Sequence, residues 1–311
     1  MTSEAQKANN PPSWRKHGKN GRTPLSVKML RFMFSRIGPL LPGLATKVGY
    51  YIWFRTHRFD EPAREARFRA RAEECPLKVN NKEIAAWRWG QGPVVLLIHG
   101  WNGRGGQLGS YIDPLLKQGY QVITFDAPAH GLSPGKRTDI MEIRDVILAI
   151  CQREGEIHAA IAHSFGGACL AAAISQGLHL SSAVCISVPG GFDSLMKSFT
   201  AALHIPDKVA ARLKAKLIDY LGEEFWNEFS SGYQNKDKQQ RSLIIHDRDD
   251  DLVDWREAEQ LANIWPNSEL ILTDGLGHRR ILRSPKLCRQ IIDFIVETPI
   301  ADSLENLETS K

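Results

Sequence analysis

The sequence has no run of eighteen apolar residues free of charge. Its most apolar stretch, residues 38–54, is interrupted by Pro42, Gly43 and Lys47, so no spanning helix is expected. Cysteine is scarce and unpatterned. The five present (Cys75, Cys151, Cys169, Cys185 and Cys288) are odd in number and widely spaced, with no CxxC pair and no Cys/His cluster. That excludes a secreted disulfide framework and a zinc-finger type of site, and leaves buried free thiols in a reducing setting. The first twenty residues lack the apolar core and small-residue cleavage site of a signal peptide, so the expected location is cytoplasmic. Acidic side chains are almost missing from the amino-terminal part. Residues 1–60 carry eleven Lys or Arg against Glu4 and Asp60, a balance of +9, whereas the whole chain carries +5 and the remaining 251 residues carry −4. A basic segment ahead of a mildly acidic body points to an anionic surface as partner of that segment alone. No nucleic-acid-binding motif is present, so no nucleic-acid partner is expected.

What is there is ordinary globular material. In 311 residues, 42% are apolar and 24% charged, enough for one catalytic domain with extensions. Residues 1–23 are rich in Asn, Pro, Ser, Gly, Lys and Arg and are expected to form a disordered basic tail. Residues 24–79 read as a helical extension, 80–297 as the main domain and 298–311 as a carboxyl-terminal tail. In the extension, Val27, Leu30, Phe34 and Ile37 recur at helical spacing with Lys28, Arg31 and Arg36 between them, predicting a basic amphipathic helix. The segment EPAREARFRARAEEC at 61–75 reads as a helix with a solvated charged face.

The main domain opens with Ile84–Trp89 and Pro93–Ile98 around the turn Gly90-Gln91-Gly92, which reads as a strand pair. Strand patterns follow at Gln121–Phe125, Ile157–Ala162, Ala183–Val188, Ser242–Ile245 and Glu269–Leu272. Helical patterns lie between them at 107–118, 139–153, 166–178, 254–264 and 285–297. This alternation predicts an α/β fold with a mostly parallel, doubly wound sheet and helices on both faces. Residues 191–240 break the alternation with helical periodicity in Phe199–Leu203 and Val209–Leu221, an insertion expected to roof the crevice at the carboxyl ends of the strands.

Ile157–Ala162 runs into Ala162-His163-Ser164-Phe165-Gly166-Gly167 and then a helical pattern. Small residues two before and two after Ser164 suit a tight strand-to-helix turn that lifts the hydroxyl clear of the backbone, a nucleophile elbow. After residue 250 the only histidine is His278, in the loop Gly275-Leu276-Gly277-His278, where it can serve as base. His99-Gly100-Trp101 follows a strand, where the Trp101 N–H can join that of Phe165 to hold an oxyanion. Asp126-Ala127-Pro128-Ala129-His130-Gly131-Leu132-Ser133 follows another and reads as a structural turn bordering the same crevice.

In order and spacing, these motifs resemble the α/β-hydrolase superfamily over residues 80–297. The resemblance implies a Ser-His-Asp triad of Ser164, His278 and an acid within His246-Asp247-Arg248-Asp249-Asp250-Asp251. The usual turn places that acid at Asp250, with Asp249 as the alternative. Like-charge repulsion predicts that most of these aspartates face water and that one is desolvated against the imidazole. A serine at the elbow sets the chain apart from relatives with a carboxylate or thiol nucleophile. The expected activity is hydrolysis of a small-molecule carboxylic ester of short or medium acyl chain, with no metal or cofactor. A thioesterase, an amidase or peptidase, a carbon–carbon bond hydrolase or a noncatalytic scaffold remain alternatives. Arg279 and Arg280 after the base are expected to be solvated or paired with the Asp247–Asp251 run. Three readings stay open for residues 24–58: packing on the domain, peripheral attachment to an anionic membrane surface, and, more weakly, a transit peptide, suggested by the scarcity of acidic residues.

Overall fold

Ten strands and twelve α-helices, with a π-helical turn at Met33–Ile37 and 3-10 turns at Gly105–Tyr111 and Ile281–Arg283, follow one another in the computed structural model, which describes residues 24–230 and 240–300. The expected tail 1–23, residues 231–239 of the insertion and 301–311 lie outside the described residues. In chain order the first elements are helices α1 (Leu25–Phe32), α2 (Pro42–Trp53) and α3 (Ala63–Arg69). They lead to strands β1 (Glu73–Glu74), β2 (Leu77–Val79), β3 (Lys82–Ile84), β4 (Ala86–Trp89) and β5 (Val94–Ile98). Then come α4 (Ile112–Lys117), β6 (Gln121–Phe125), α5 (Ile140–Glu154), β7 (Ile157–His163), α6 (Phe165–Ser175) and β8 (Leu180–Ile186). The insertion supplies α7 (Phe192–Leu203), α8 (Asp207–Leu221) and α9 (Glu223–Ser230). The chain closes with β9 (Arg241–Asp247), α10 (Arg256–Ile264), β10 (Ser268–Thr273), α11 (Gly277–Arg280) and α12 (Pro285–Val296).

Eight strands make one sheet in the order β1-β4-β6-β5-β7-β8-β9-β10, parallel from β6 to β10 and antiparallel at β1 and β4. Both faces are covered, so the central strands are apolar along their length, and every residue of β5 and β7 is buried. Side chains alternate between two cores. Val94, Leu96 and Ile98 of β5 meet the layer containing Ile143, Ile147 and Leu170, while Val95 and Leu97 meet Ile112, Leu115, Ile291 and Ile295.

The expected pairing of Ile84–Trp89 with Pro93–Ile98 is corrected. Ile84 belongs to β3, which pairs with β2, and β4 bonds to β6, with β5 on the far side of β6. The turn between them does not fold back. Gly90 and Gly92 both adopt positive φ, and a Cβ at Gly92 would run into the Gly119 carbonyl oxygen, so the linker lies over the start of β6. This lets β6, with Val122, Ile123, Thr124 and Phe125 all buried, sit between two neighbours instead of at an edge. The solvated reading of residues 61–75 is also corrected. Glu65 is buried on α3, 3.7 Å from Arg104 and 3.4 Å from Arg64, because Gly106 and Gly109 allow α3 to lie closely over them.

The amino-terminal extension packs on the inserted helices. Phe34 is fully buried and Leu30 partly so, as the helical pattern requires, whereas Ile37 is exposed. In α2, Gly49 brings the backbone close to Leu213 of α8, Trp53 meets Phe199 edge-on at 5.1 Å and Phe54 meets Tyr220 at 5.2 Å. Beyond α2, the Thr56 hydroxyl donates to the Ala129 carbonyl and the His57 N–H to Asn102 Oδ1 at 2.7 Å. The extension thus touches both the inserted helices and the loops at the carboxyl ends of β5 and β6.

Candidate active site

Ser164 stands where β7 passes into α6, with φ +54° and ψ −128°. Positive φ is disfavoured for a residue with a Cβ and costs of order 1–3 kcal/mol, so the surroundings must hold it. They do so with backbone bonds. The Ser164 N–H donates to the Ile186 carbonyl of β8 at 2.9 Å, and the Gly167 N–H to the Ser164 carbonyl at 2.9 Å. Space comes from two glycines: a Cβ at Gly100 would lie 2.9 Å from the Ser164 Cβ, and one at Gly166 would lie 2.5 Å from the His99 carbonyl oxygen.

His278 is the second residue of the short helix α11 after β10. Its Nε2 lies 3.1 Å from Ser164 Oγ and its Nδ1 lies 2.7 Å from Asp250 Oδ2. The structure therefore brings together Ser164, His278 and Asp250, whose side chain is fully enclosed. Burial by itself would raise the Asp250 pKa, but hydrogen bonds from His246 and His278 outweigh it and hold the carboxyl well below the usual carboxylate range. The Leu252 and Val253 N–H groups also donate to Oδ1, at 2.9 and 3.0 Å. An ionised Asp250 takes the Nδ1–H of His278 and so turns the Nε2 lone pair toward Ser164. Asp249 instead accepts the Gly275 N–H at 2.9 Å.

Two aspartates of the run are buried, not one, which corrects the expectation. Strand β9 extends through Asp247, whose carboxylate accepts from the Thr273 hydroxyl (2.7 Å) and the N–H groups of Asp249 (3.0 Å), Leu276 (3.0 Å) and Gly277 (2.8 Å). Burial opposes ionisation here too, but these donors together lower its pKa. Asp247 straps the acid-bearing turn to the loop that carries His278.

Two further histidines surround the site without having been singled out from the sequence. His246 is buried with Nε2 3.3 Å from Asp250 Oδ2 and 3.2 Å from the Val253 carbonyl oxygen. His163, the last residue of β7, lies 4.8 Å from His278 with the rings tilted by 50° and donates from Nε2 to the His278 carbonyl at 2.9 Å. Burial pushes the His163 pKa down to about 3, so it is neutral and adds no charge beside the base. Adjacency to Ser164 was the sequence signal for His163, and position i−4 from Asp250 was that for His246.

Trp101 and Phe165 lie together, their rings 5.2 Å apart and edge-on. Neutral histidines fix the loop. The Ala127 N–H donates to His99 Nε2 and the Asn102 N–H to His130 Nε2, both at 3.0 Å; burial lowers the pKa of His99 to about 4 and of His130 to about 3. The Asp126 carboxylate accepts from the N–H groups of Gly105 and Leu132, and the Ser133 hydroxyl donates to the Asp126 carbonyl, so the Asp126–Ser133 turn braces this loop.

Ser164 and His278 open into a cleft of about 330 Å³. Trp101, Leu195, Phe199, Ala202, Leu252 and Leu282 make it largely apolar, with α7 of the insertion forming one wall, and Arg279 and Arg283 also line it. Of the two expectations for Arg279 and Arg280, solvation holds: both are exposed, and among the described residues neither is paired with the aspartate run. Arg280 instead donates to the carbonyls of Leu276 and Gly275.

An elbow serine, a base after the last strand and an acid after the one before it define an α/β hydrolase. The chain belongs to the alpha/beta hydrolase family, whose model matches residues 95–290. Among individual proteins, it is similar to the serine hydrolase-like protein of Homo sapiens, 38% identical over 104 residues. That stretch covers 30% of this chain and 49% of the relative, so the match spans about half the relative's length. An esterase from Pyrococcus furiosus superimposes with a TM-score of 0.57 at 22% identity, covering 78% of this chain and 96% of that one. An epoxide hydrolase from Vigna radiata does so with a TM-score of 0.54 at 15% identity, covering 73% and 98%. At such identities the two structures establish the fold alone.

Proposed function

We propose that the protein is a serine hydrolase that cleaves a carboxylic ester of short or medium acyl chain. The observation carrying this reading is the contact of His278 Nε2 with Ser164 Oγ at 3.1 Å while Nδ1 is held by Asp250 at 2.7 Å. His278 takes the hydroxyl proton as Oγ attacks the acyl carbon. The resulting oxyanion is held by the Trp101 and Phe165 N–H groups. His278 then gives the proton to the departing alkoxide, and water, activated by the same imidazole, releases the acid from the acyl enzyme. Asp250 keeps the ring oriented and stabilises the imidazolium.

The small apolar cleft supports a short or medium acyl chain, since its volume is near the lower end of ligand sites, roughly 300–1,000 Å³. Fluorophosphonate labelling tests the nucleophile: a stable adduct on Ser164 is expected, and a folded protein that takes no label is a noncatalytic member of the fold. Turnover of p-nitrophenyl esters of increasing chain length, beside matched thioesters and amides, tests the bond. Preference for the amide overturns the ester.

The two arginines at the cleft set a further expectation. Among the described residues, no Asp or Glu lines the cleft and neither arginine is in an ion pair. An ester with a carboxylate on its far end is therefore expected to be favoured over its neutral isostere. Because both side chains are exposed, the gain is limited to about fivefold in kcat/KM. Arg279→Gln with Arg283→Gln should remove that preference and leave the neutral ester unaffected; equal kcat/KM for both esters in the parent protein excludes the role.

A further inference from the structure

Helix α1 has two apolar faces. Leu30, and Phe34 in the π-helical turn Met33–Ile37 that follows, turn inward, but Leu25, Met29 and Phe32, at i, i+4 and i+7, share the opposite face and are exposed, Leu25 at 73% and Phe32 at 63%. The turn into α2 adds Leu40, exposed at 78%, and Leu41, and the first turn of α2 adds Leu44. Large apolar side chains crowded this way on a protein surface mark an interaction site rather than ordinary scatter.

The charges around them specify the partner. Lys28 of α1, Lys47 of α2 and Arg36 in the turn between them are exposed, and no Asp or Glu occurs anywhere in residues 5–59. Residues 1–23 carry five Lys or Arg against Glu4, the same sign as this face, so they do not complement it. A second copy presents the same sign again. Among the described residues no helix is long and apolar enough to cross a membrane, so insertion is limited to the interface.

We infer that the exposed face of α1 and the start of α2 dock on an anionic phospholipid bilayer. Leu25, Met29, Phe32, Leu40, Leu41 and Leu44 enter the headgroup boundary, and Lys28, Arg36 and Lys47 meet the phosphates. The inward face of the same helices meanwhile holds the inserted helices, with Trp53 against Phe199 of the cleft wall and the Arg31 guanidinium donating to the Ala202 carbonyl at 3.0 Å. Docking and packing on the domain are therefore two faces of one element.

Cosedimentation of the full chain with vesicles tests this, using phosphatidylcholine alone and equimolar phosphatidylcholine and phosphatidylserine. The protein is expected to sediment with the anionic vesicles only and to be released by high salt. The double variants Phe32→Ser/Leu40→Ser and Lys28→Glu/Lys47→Glu should each lower partitioning at least about tenfold. All four positions are exposed, so the thermal midpoint should stay unchanged. Protein left in the supernatant at both compositions, or undiminished binding by Phe32→Ser/Leu40→Ser, overturns the inference. So does a dimer in sedimentation velocity that Phe32→Ser/Leu40→Ser dissociates while vesicles are ignored, which assigns the face to a second copy.

Discussion

Replacing Ser164 with alanine is expected to reduce kcat by about 10⁴-fold or more and to abolish fluorophosphonate labelling. Oγ is the reacting atom in the proposed cycle, with a base 3.1 Å away. Alanine meets the same backbone demand at φ +54° and keeps the Ser164 backbone bonds to β8, so the fold is expected to survive. Residual turnover would come from substrate binding and the oxyanion donors alone. An unchanged thermal midpoint with lost activity supports the assignment; turnover within tenfold of the parent rejects it.

The second large effect is expected at the acid. Asp250→Asn should lower kcat by about 10³- to 10⁴-fold, because a neutral amide neither fixes the Nδ1–H tautomer of His278 nor stabilises the imidazolium. Asp249→Asn should stay within about twofold, since Asp249 holds the Gly275 N–H and not the imidazole. The pair decides between adjacent carboxylates in one experiment, and equal losses would reject Asp250 as the partner of the base. The depressed pKa of Asp250 also fixes the sign of its pH linkage. Its stabilising contribution is present above the unfolded carboxylate value and fades only as pH falls through the lower folded value. Activity lost on mild acidification therefore arises elsewhere than at this carboxylate.

The chemistry-bearing turns were readable because their demands are local. Small residues at Ala162 and Gly166 and glycine at Gly100 answer steric demands met within a few residues of a turn, whereas the order serine, acid, histidine is what the resemblance to the α/β-hydrolase superfamily implies. Pairing partners were not readable in the same way. That β6 would lie between β4 and β5 depends on Gly92 passing beside Gly119, a contact no local pattern encodes. Asp247 looked like one more solvated aspartate until β9 proved to run through it and to align it with Thr273 of β10. Across α1 and the π-helical turn Met33–Ile37 after it, the sets Val27-Leu30-Phe34-Ile37 and Leu25-Met29-Phe32 both recur at helical spacing. Periodicity alone therefore left the inward and outward faces undetermined, and only packing against the inserted helices separates them.

The position of β9 and β10 at the rim of the sheet has a consequence for how activity is lost. Ser164 follows β7, deep in the sheet, but Asp250 and His278 follow β9 and β10, the last two strands at one rim, and no residue of β10 is fully buried. Sheets open from their rims, where the free energy of local opening falls below that of global unfolding. A rim excursion that parts β10 from β9 would release the Asp247 carboxylate from Thr273, Leu276 and Gly277, and with it the relay from Asp250 through His278, while the serine elbow stays folded. In the proposed cycle, catalytic competence thus belongs to a smaller cooperative unit than the fold, and amide exchange in β10 measures how often that unit is intact.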